Sequence, residues 1–267
     1  MASPMYKLIA DDLRQQIESG SLARGRQVPT ELELREKYNA SRNTVRDAIK
    51  SLINLGLVET RPGQGTFVVE DIDPFVTTLS GDPTTGWGGD EGASYLSEVT
   101  KGNRQPSSSP IKVEIQEATA EVGRGLGVPE GTEVISRHEH RFIDGTPWSL
   151  QTSFYPAAFA DRGASRLRSA KNIDEGTVDY LRKELGIRQV AYRDWITVRT
   201  PNSIEAEFFK ISSDGRIPMY EIFRTAFDGN GQPMRLTITV YPADRNQFII
   251  DIGDIPESAR QRGPQPE

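Results

Sequence analysis

The sequence predicts an α+β protein built from two domains that differ in element order. The first 70 residues favour three helices followed by a hairpin, whereas the region after residue 111 alternates strands with helices and favours a mostly antiparallel sheet. A segment rich in Gly, Pro and Ser separates the two patterns. The length of 267 residues suits two small domains with separate cores. We therefore expect a first domain at 1–72, a linker at 73–111, a second domain at 112–255 and a tail at 256–267.

Composition excludes several classes of protein. The chain has no cysteine, which removes disulfide scaffolds, thiolate zinc sites and cysteine nucleophiles. Charges are scattered between Met1 and Ile17 without an apolar run, so we expect neither a signal peptide nor a membrane anchor. The sequence therefore predicts a soluble, cytoplasmic protein with no membrane partner.

The net charge of −6 is unevenly distributed. Residues 1–70 contain ten Lys/Arg and nine Asp/Glu, and between Arg35 and Arg61 basic residues outnumber acidic ones six to three. The remainder carries about seven excess negative charges. The acidic total therefore does not exclude a nucleic-acid partner, because the basic excess is local.

Three helices are predicted in the first domain. The first covers residues 5–19, stops at Gly20 and has apolar side chains at helical spacing, namely Leu8, Ile9, Leu13 and Ile17. The second begins after Thr30, which forms a capping-box pattern with Glu33. The third begins at Ser41, a favourable N-cap, and ends at Gly56.

A hairpin completes the first domain. The β-prone runs 57–61 and 66–69 flank the turn sequence PGQG. Three helices and a hairpin describe a winged helix-turn-helix, in which the third helix enters the DNA major groove and the hairpin touches the flanking backbone or minor groove.

The start of the third helix carries residues suited to reading DNA. Arg pairs bidentately with guanine and Asn with adenine, while hydroxyls and backbone amides hold phosphates. The predicted contacts on this helix are Ser41, Arg42, Asn43, Thr44, Arg46 and Lys50. Taken alone, SRNTVR is equally consistent with a well-capped, solvated helix start, so the whole pattern has to decide.

Residues 6–69 resemble the N-terminal DNA-binding domain of the GntR family of bacterial transcriptional regulators. The markers are Tyr6, Gly20, Pro29, Glu31, Leu34, Ser41-Arg42, Thr44-Val45-Arg46, Leu52, Gly56-Leu57 and Gly63 to Val68. The resemblance implies that Arg42 and Arg46 read bases and phosphates. It adds a wing tip at Gly63, Gln64 and Gly65, next to Arg61, that enters the minor groove. Leu32 replaces an arginine frequent in the family, and Arg35 is expected to substitute for it.

The second domain has its own series of elements. Strands are predicted at 133–143 and 148–155 around the turn 144–147, a helix at 177–185 before Gly186, and a strand at 192–200. A short helix at 204–211 and a hairpin of strands 218–227 and 232–241 around DGNG follow. The glycine-rich GRGLG at 123–127 lacks the context of a dinucleotide site and predicts the end of a small helix.

From Val113 to Phe248 the order of elements resembles the UTRA ligand-binding domain of the HutC subfamily, which is related in fold to chorismate lyase. The markers are LGVPEGTEV, RFIDGTPWSLQTSFYP, DGNGQP and YPADRNQF. Strand alternation puts Arg137, Glu139 and Arg141 on one face, which the resemblance makes a pocket wall. The predicted effector-binding residues are Glu139, Arg141, Gln151, Tyr155, Arg235 and Tyr241.

The resemblance also bears on the effector. Regulators of this subfamily that sense phosphorylated sugars carry an arginine where this chain has Glu139 and a carboxylate where it has Arg235. We therefore expect an effector that is not a sugar phosphate. The exchange suggests that Glu139 and Arg235 pair with inverted polarity, with two unrelated solvated charges as the alternative. Trp195 is expected to pack in the core rather than stack on a ligand.

These observations predict a homodimeric repressor that binds a palindromic double-stranded DNA operator and is released by a small-molecule effector. One alternative is a regulator whose second domain only dimerises, and another is a chorismate-lyase-like enzyme. The only histidines, His138 and His140, form a possible metal pair without a third ligand. We therefore expect no metal, no cofactor and no catalytic residues.

Overall fold

The computed structural model of the protein describes residues 4–61, 63–69, 74–79, 91–212, 215–250 and 256. It separates into two compact units, Met1–Asp73 and Pro74–Glu267. The proposed tail, apart from Pro256, and most of the Gly-rich run at 80–92 lie outside the described residues.

The first unit contains the predicted three helices and hairpin. Its elements are α1 (Met5–Glu18), α2 (Glu31–Tyr38), α3 (Arg42–Asn54), β1 (Val58–Arg61) and β2 (Gly65–Val68). The strands β1 and β2 pair antiparallel, with Val58 opposite Val68. One apolar cluster joins the elements, and its fully buried members include Ile9, Leu13, Leu34, Val45 and Leu52. The winged helix-turn-helix prediction is confirmed.

Local side-chain bonds fix where α2 and α3 begin. Thr30 and Glu33 form the predicted capping box, since each side chain bonds the other's backbone N–H. The Ser41 hydroxyl accepts a hydrogen bond from the Thr44 backbone amide at 3.2 Å. These caps satisfy amides that helix starts otherwise leave unbonded. They fix the orientation of the first turn of α3.

The second unit is built around a seven-stranded antiparallel sheet. The strand order is β4, β6, β7, β10, β9, β8, with β5 also paired to β6. The strands are β4 (Pro106–Ser108), β5 (Lys112–Glu117), β6 (Glu133–Ile143), β7 (Thr146–Pro156), β8 (Gln189–Arg199), β9 (Met219–Asp228) and β10 (Pro233–Pro242). The predicted mostly antiparallel sheet is confirmed.

Helices cover both faces of this sheet. They are α5 (Ala120–Leu126), α6 (Ala158–Asp161), α7 (Thr177–Leu185) and α8 (Ser203–Phe209), with a 3-10 helix at Ser165–Arg168. On one face, α5 packs against Phe154 and Leu236, and α8 against Met219 and Val240. Tyr155 belongs to a different cluster, which includes residues of α6, α7 and the 3-10 helix.

The segment 73–111, for which we expected a linker, contains regular elements. These are β3 (Phe75–Thr78), α4 (Glu91–Lys101) and β4. The strand β3 pairs in parallel with β11 (Asn246–Ile249), and the Tyr95 hydroxyl of α4 donates to the Phe142 carbonyl at 2.6 Å. The glycine and proline content of this segment predicted a linker, because composition carries no information about pairing with β11 or contact with β6.

Trp195 differs from its prediction. Its side chain is 68% exposed on β8, so the expectation of core packing is wrong. Trp87 lies outside the described residues. Of the two tryptophans that the structure describes, Trp148 is the buried one, at 1% exposure.

Candidate functional site

The first candidate site is the exposed face at the start of α3. Arg42, Asn43 and Arg46 are exposed, whereas Val45 on the same turns is fully buried. Burial of one face fixes the rotation of the helix, so the polar residues face solvent together. Ser41 and Lys50 are also exposed, and Thr44 is half-buried beside the cap.

Both arginines are held by one carboxylate from α2. Glu31 accepts a hydrogen bond from Arg46 Nε at 2.8 Å and from Arg42 Nε at 3.1 Å. The bond from Arg46 is the main cause of the lowered pKa of Glu31, and the bond from Arg42 adds to it, while burial opposes both. The arginines remain 57% and 62% exposed, so their other donors can reach DNA. In the sequence, Glu31 stood out only as a marker of the family resemblance, and its bridge to both arginines was not predicted.

The hairpin tip is braced by a residue that the sequence did not single out. Gln27 Nε2 donates to the Gln64 carbonyl at 3.0 Å. Gly65 has φ +119°, and a Cβ there would lie 2.4 Å from Gln27 Nε2. The backbone angle favours glycine at this position, and a Cβ there would displace the Gln27 amide from its bond to Gln64. Gly63 has φ +72° and open space around it.

The remaining predicted DNA contacts lie beside these elements. Arg61 pairs with Glu59 at 2.8 Å and stacks over the Phe67 ring at 4.4 Å, so it is attached to the hairpin. Arg35 is exposed on α2, and Leu32, which departs from the family pattern, is 59% exposed. The unit therefore presents the predicted residues on α2, α3 and the hairpin at its surface.

The second candidate site is a cavity of about 530 Å³ in the second unit. Five of the six predicted effector residues line it, namely Glu139, Arg141, Gln151, Tyr155 and Arg235. Its other walls come from α4, from residues 108–111 and from residues 170–177 up to the start of α7. The volume lies within the range of small-molecule sites.

Charged groups in the cavity wall are balanced locally. Arg141 Nε donates to Glu139 Oε2 at 3.0 Å, and the Arg141 guanidinium lies 5.0 Å from the centre of the Tyr95 ring. Burial raises the pKa of Tyr95 to about 12, so its hydroxyl stays protonated near neutrality. Arg141 is nearly buried, whereas Glu139 is half-buried. A ligand therefore meets a neutralised ion pair here.

Arg137 lies in the same wall but supports a loop. Its guanidinium donates to four backbone carbonyls, those of Arg166, Leu167, Ser169 and Lys171, at 3.4, 2.9, 2.7 and 2.9 Å. The side chain is 6% exposed. Because this loop leads directly into the cavity-lining residues 172–177, Arg137 holds one wall of the cavity.

The sheet register bears on the suggested pair of Glu139 and Arg235. Glu139 lies opposite Gln151, which lies opposite Thr239, so Arg235 is two strands away and four residues along. That is about 13 Å along the strands and about 10 Å across them, which disfavours a direct ion pair. Arg235 is 2% exposed and donates to Gln189 Oε1 at 3.3 Å.

Tyr241 is the predicted effector residue that is absent from the cavity lining. Its ring contacts Phe248 of β11, with the ring centres 5.1 Å apart. It lies on the same face of β10 as Arg235, since alternate residues of a strand share a face. The Tyr241 ring therefore packs against β11 and does not line the cavity.

The described parts of the chain contain neither a metal-binding cluster nor a membrane-spanning helix. No group of three His, Asp or Glu side chains there is arranged to hold a metal ion, and His138 instead bonds Thr152 at 2.8 Å. Within those same ranges no helix combines the length and apolar character needed to cross a bilayer.

Family comparisons match both units. Residues 5–68 match the family described as bacterial regulatory proteins, gntR family, and residues 101–247 match the UTRA domain. A Shigella flexneri protein named "Probable fructoselysine utilization operon transcriptional repressor" is 27% identical over 92% of this chain and 94% of its own length. The HTH-type transcriptional repressor NagR of Bacillus subtilis is 23% identical over 92% and 93%.

Solved structures give the same architecture. A GntR-family regulator covers 95% of this chain and 99% of its own, with a TM-score of 0.60 and 24% identity. PhnF from Mycobacterium smegmatis covers 92% and 99%, with a TM-score of 0.55 and 22% identity. At these identities the likeness supports the fold.

Proposed function

The chain belongs to the GntR family of bacterial regulatory proteins and carries a UTRA domain, and from that premise we propose that it is a homodimeric repressor released by a small molecule. Two heads bind the half-sites of a palindromic operator, since the two-fold symmetry of a dimer matches that of the DNA. The protein acts where the operator is, in the cytoplasm. The family consists of transcriptional regulators, so the enzyme alternative is set aside.

One observation supports DNA reading most directly. The first turns of α3 hold Arg42, Asn43 and Arg46 at the surface, while Glu31 restrains both arginines before DNA arrives. Each arginine that pairs bidentately with guanine contributes about 1–3 kcal/mol of discrimination. Ser41 and Thr44 supply hydroxyls, and Lys50, Arg61, Arg35 and the tip 63–65 supply backbone contacts.

The cavity supports effector binding over a second unit that only dimerises. A domain that serves only as an interface has no need for a 530 Å³ cavity lined by buried arginines. Effector binding changes operator affinity only by favouring one of two conformations. We infer that Gln151 and Tyr155 hydrogen-bond the effector and that Arg141, Glu139 and Arg235 set its charge.

The cavity charge disfavours a sugar phosphate. Glu139 occupies the wall and already neutralises Arg141. Asp174 adds a carboxylate to the lining, whereas Glu175 is paired with Arg166. A phosphate dianion placed there meets these like charges. We propose an effector of lower negative charge.

Two measurements test this function. Fluorescence anisotropy with an operator found by genomic footprinting should show that Arg42→Ala with Arg46→Ala weakens operator binding by at least about 30-fold, from about 1–3 kcal/mol per contact. The matched control is Arg124→Ala, an exposed arginine on α5. Retained specific binding by the folded double variant would contradict the assignment of α3.

Thermal shift against a metabolite library tests the cavity. A true effector stabilises the second unit by an amount that grows with the logarithm of its concentration over its Kd. Gln151→Ala should abolish that shift. Stabilisation by phosphorylated sugars alone would contradict the proposed charge preference.

A further inference from the structure

An exposed leucine lies beside the two arginines of the first candidate site. Leu32 is 59% exposed at the second position of α2. Its neighbour Glu31 bonds Arg42 and Arg46 at 3.1 and 2.8 Å, so the first turn of α2 packs alongside the first turns of α3. A single exposed leucine is ordinary on a protein surface, but this one lies within the surface that we propose to face DNA.

Helical phase shows which side of α2 carries Leu32. The fully buried Leu34 marks the side of the helix that faces the core. Lys37, which bonds Asp12 of α1 at 3.1 Å, lies about 60° from Leu34 on one flank, and Glu31 lies about 60° from it on the other. Leu32 lies about 100° beyond Glu31. Its side chain is therefore directed outward on the flank of α2 that is next to α3.

The chemistry around Leu32 disfavours contact with a DNA phosphate. An apolar side chain cannot replace the hydrogen bonds that a phosphate makes with water. The adjacent Glu33 carboxylate bonds the Thr30 amide at 2.7 Å and the Thr30 hydroxyl at 2.8 Å, both of which are uncharged. These bonds lower the pKa of Glu33, so its negative charge is present at neutral pH and repels phosphate. A neutral, apolar group is the better neighbour for Leu32.

The major groove offers such a group on one of its base edges. Thymine presents its C5 methyl group there, whereas the other bases present hydrogen-bond donors and acceptors. Arg35 lies three residues after Leu32 on the same side of α2 and is exposed, so it supplies the contact with the DNA backbone. Leu32 is then left to meet a base edge.

We propose that Leu32 is a specificity-determining residue that contacts the methyl group of a thymine in each operator half-site. The inference rests on the proposed DNA-binding function and adds a base read by α2 to the bases read by α3. The leucine and the methyl group remove each other's apolar surface from water without breaking a hydrogen bond. The half-site therefore requires thymine at a position that the arginines do not read.

Removal of the methyl group alone tests this contact. Deoxyuridine pairs with adenine and keeps the O4 acceptor of thymine, so the two nucleotides differ only in the methyl group. In an operator found by genomic footprinting, each thymine is replaced by deoxyuridine in both half-sites, one symmetric position at a time, and binding is measured by fluorescence anisotropy. At one position the Kd of the wild-type protein should rise about threefold to fivefold per half-site, as expected for one buried methyl group.

Two alanine variants assign the effect to its residue. Leu32→Ala should bind the thymine and deoxyuridine operators equally at that position. The matched control Leu55→Ala removes a leucine that is 56% exposed at the other end of α3, about 20 Å from the helix start, and should keep the wild-type difference. A wild-type protein that tolerates deoxyuridine at every position would overturn the inference, as would a Leu32→Ala variant that keeps the full methyl dependence.

Salt dependence tests the placement of Leu32 independently. Leu32→Arg should steepen the plot of log affinity against log salt concentration by about 0.9 per head, because an arginine there is long enough to reach the DNA backbone. Leu55→Arg, with the same change of charge, should leave the slope nearly unchanged. An unchanged slope in Leu32→Arg would show that position 32 faces away from DNA, which overturns this inference alone. A wild-type chain that binds no operator specifically would refute the proposed function itself.

Discussion

Replacing Arg137 by Met tests whether one buried guanidinium holds the cavity wall. The substitution leaves four carbonyls of the loop 166–171 without their donor. Each hydrogen bond to a charged group contributes about 1.5–3 kcal/mol. Because the loop can shift and admit water, we expect a loss of about 3–5 kcal/mol rather than the full sum.

The unfolding of the second unit can be followed separately. All three tryptophans, Trp87, Trp148 and Trp195, lie in Pro74–Glu267, so tryptophan fluorescence reports on that unit. With an m-value of about 2 kcal/mol per M, Arg137→Met should lower the urea midpoint by about 1.5–2.5 M. Arg137→Lys keeps the positive charge but lacks the planar guanidinium with its several donors. It should therefore restore part of the stability that Arg137→Met loses.

The control is Arg124→Met, which removes an exposed arginine of the same unit. It should change the unfolding free energy by less than about 0.5 kcal/mol. A loss below about 1 kcal/mol for Arg137→Met would mean that the four bonds contribute little net stability, and the reasoning about the wall would fail.

Three further outcomes are expected. Glu31→Ala should raise affinity for non-specific DNA by about threefold to tenfold at low salt, measured by anisotropy, because two exposed ion pairs no longer compete with phosphate. Gly65→Ala should destabilise the first unit by about 1–2 kcal/mol, measured by circular dichroism, because of its positive φ and because the Gln27 amide loses its bond to Gln64 when it moves aside. Lowering the pH from 7.5 to 5.5 should destabilise the second unit, because burial lowers the pKa of both His138 and His140. Below pH about 6.5 the two histidines are protonated in the unfolded chain but stay neutral in the folded one. The free energy of unfolding of the second unit therefore decreases as the pH is lowered through this range.

Each of these outcomes has a control. Unchanged non-specific affinity in Glu31→Ala would show that the bridge does not compete with DNA. Gly63→Ala, where a Cβ meets open space, should cost less than Gly65→Ala. His138→Gln with His140→Gln should flatten the pH profile, since these are the only histidines. A profile that keeps its slope would assign the effect to carboxylates.

Local patterns predicted most of the elements, because alternation, caps and glycine stops act within a few residues. β6 and α7 have the predicted bounds, 133–143 and 177–185. The pairing of β3 with β11 was not predictable, since it joins residues about 170 positions apart through backbone bonds that leave no pattern in the sequence. Without that pairing the segment before α4 resembled a linker.

The same distinction applies to the sites. Strand alternation with the family resemblance identified five side chains that line one cavity, because a face is a local property of a strand. The roles of Arg137 and Tyr95 depend on where a loop and a helix from elsewhere in the chain pack. The suggested pairing of Glu139 with Arg235 ignored the register between strands. Alternation shows which face a residue lies on, but not which residues of neighbouring strands lie opposite each other.

The Glu31 bridge changes how the charge of the first unit should be understood. Arg42 and Arg46 share one carboxylate, so the two arginines bring about one net positive charge to the DNA rather than two. An arginine that contacts a base must first leave Glu31, which costs about 0–1 kcal/mol for an exposed ion pair. A bidentate contact with guanine offsets that cost, whereas a contact with a mismatched base does not. The bridge therefore weakens wrong sites more than the right one. Since fewer counterions are released than two free arginines would displace, the salt dependence of operator binding should be shallower than that of Glu31→Ala.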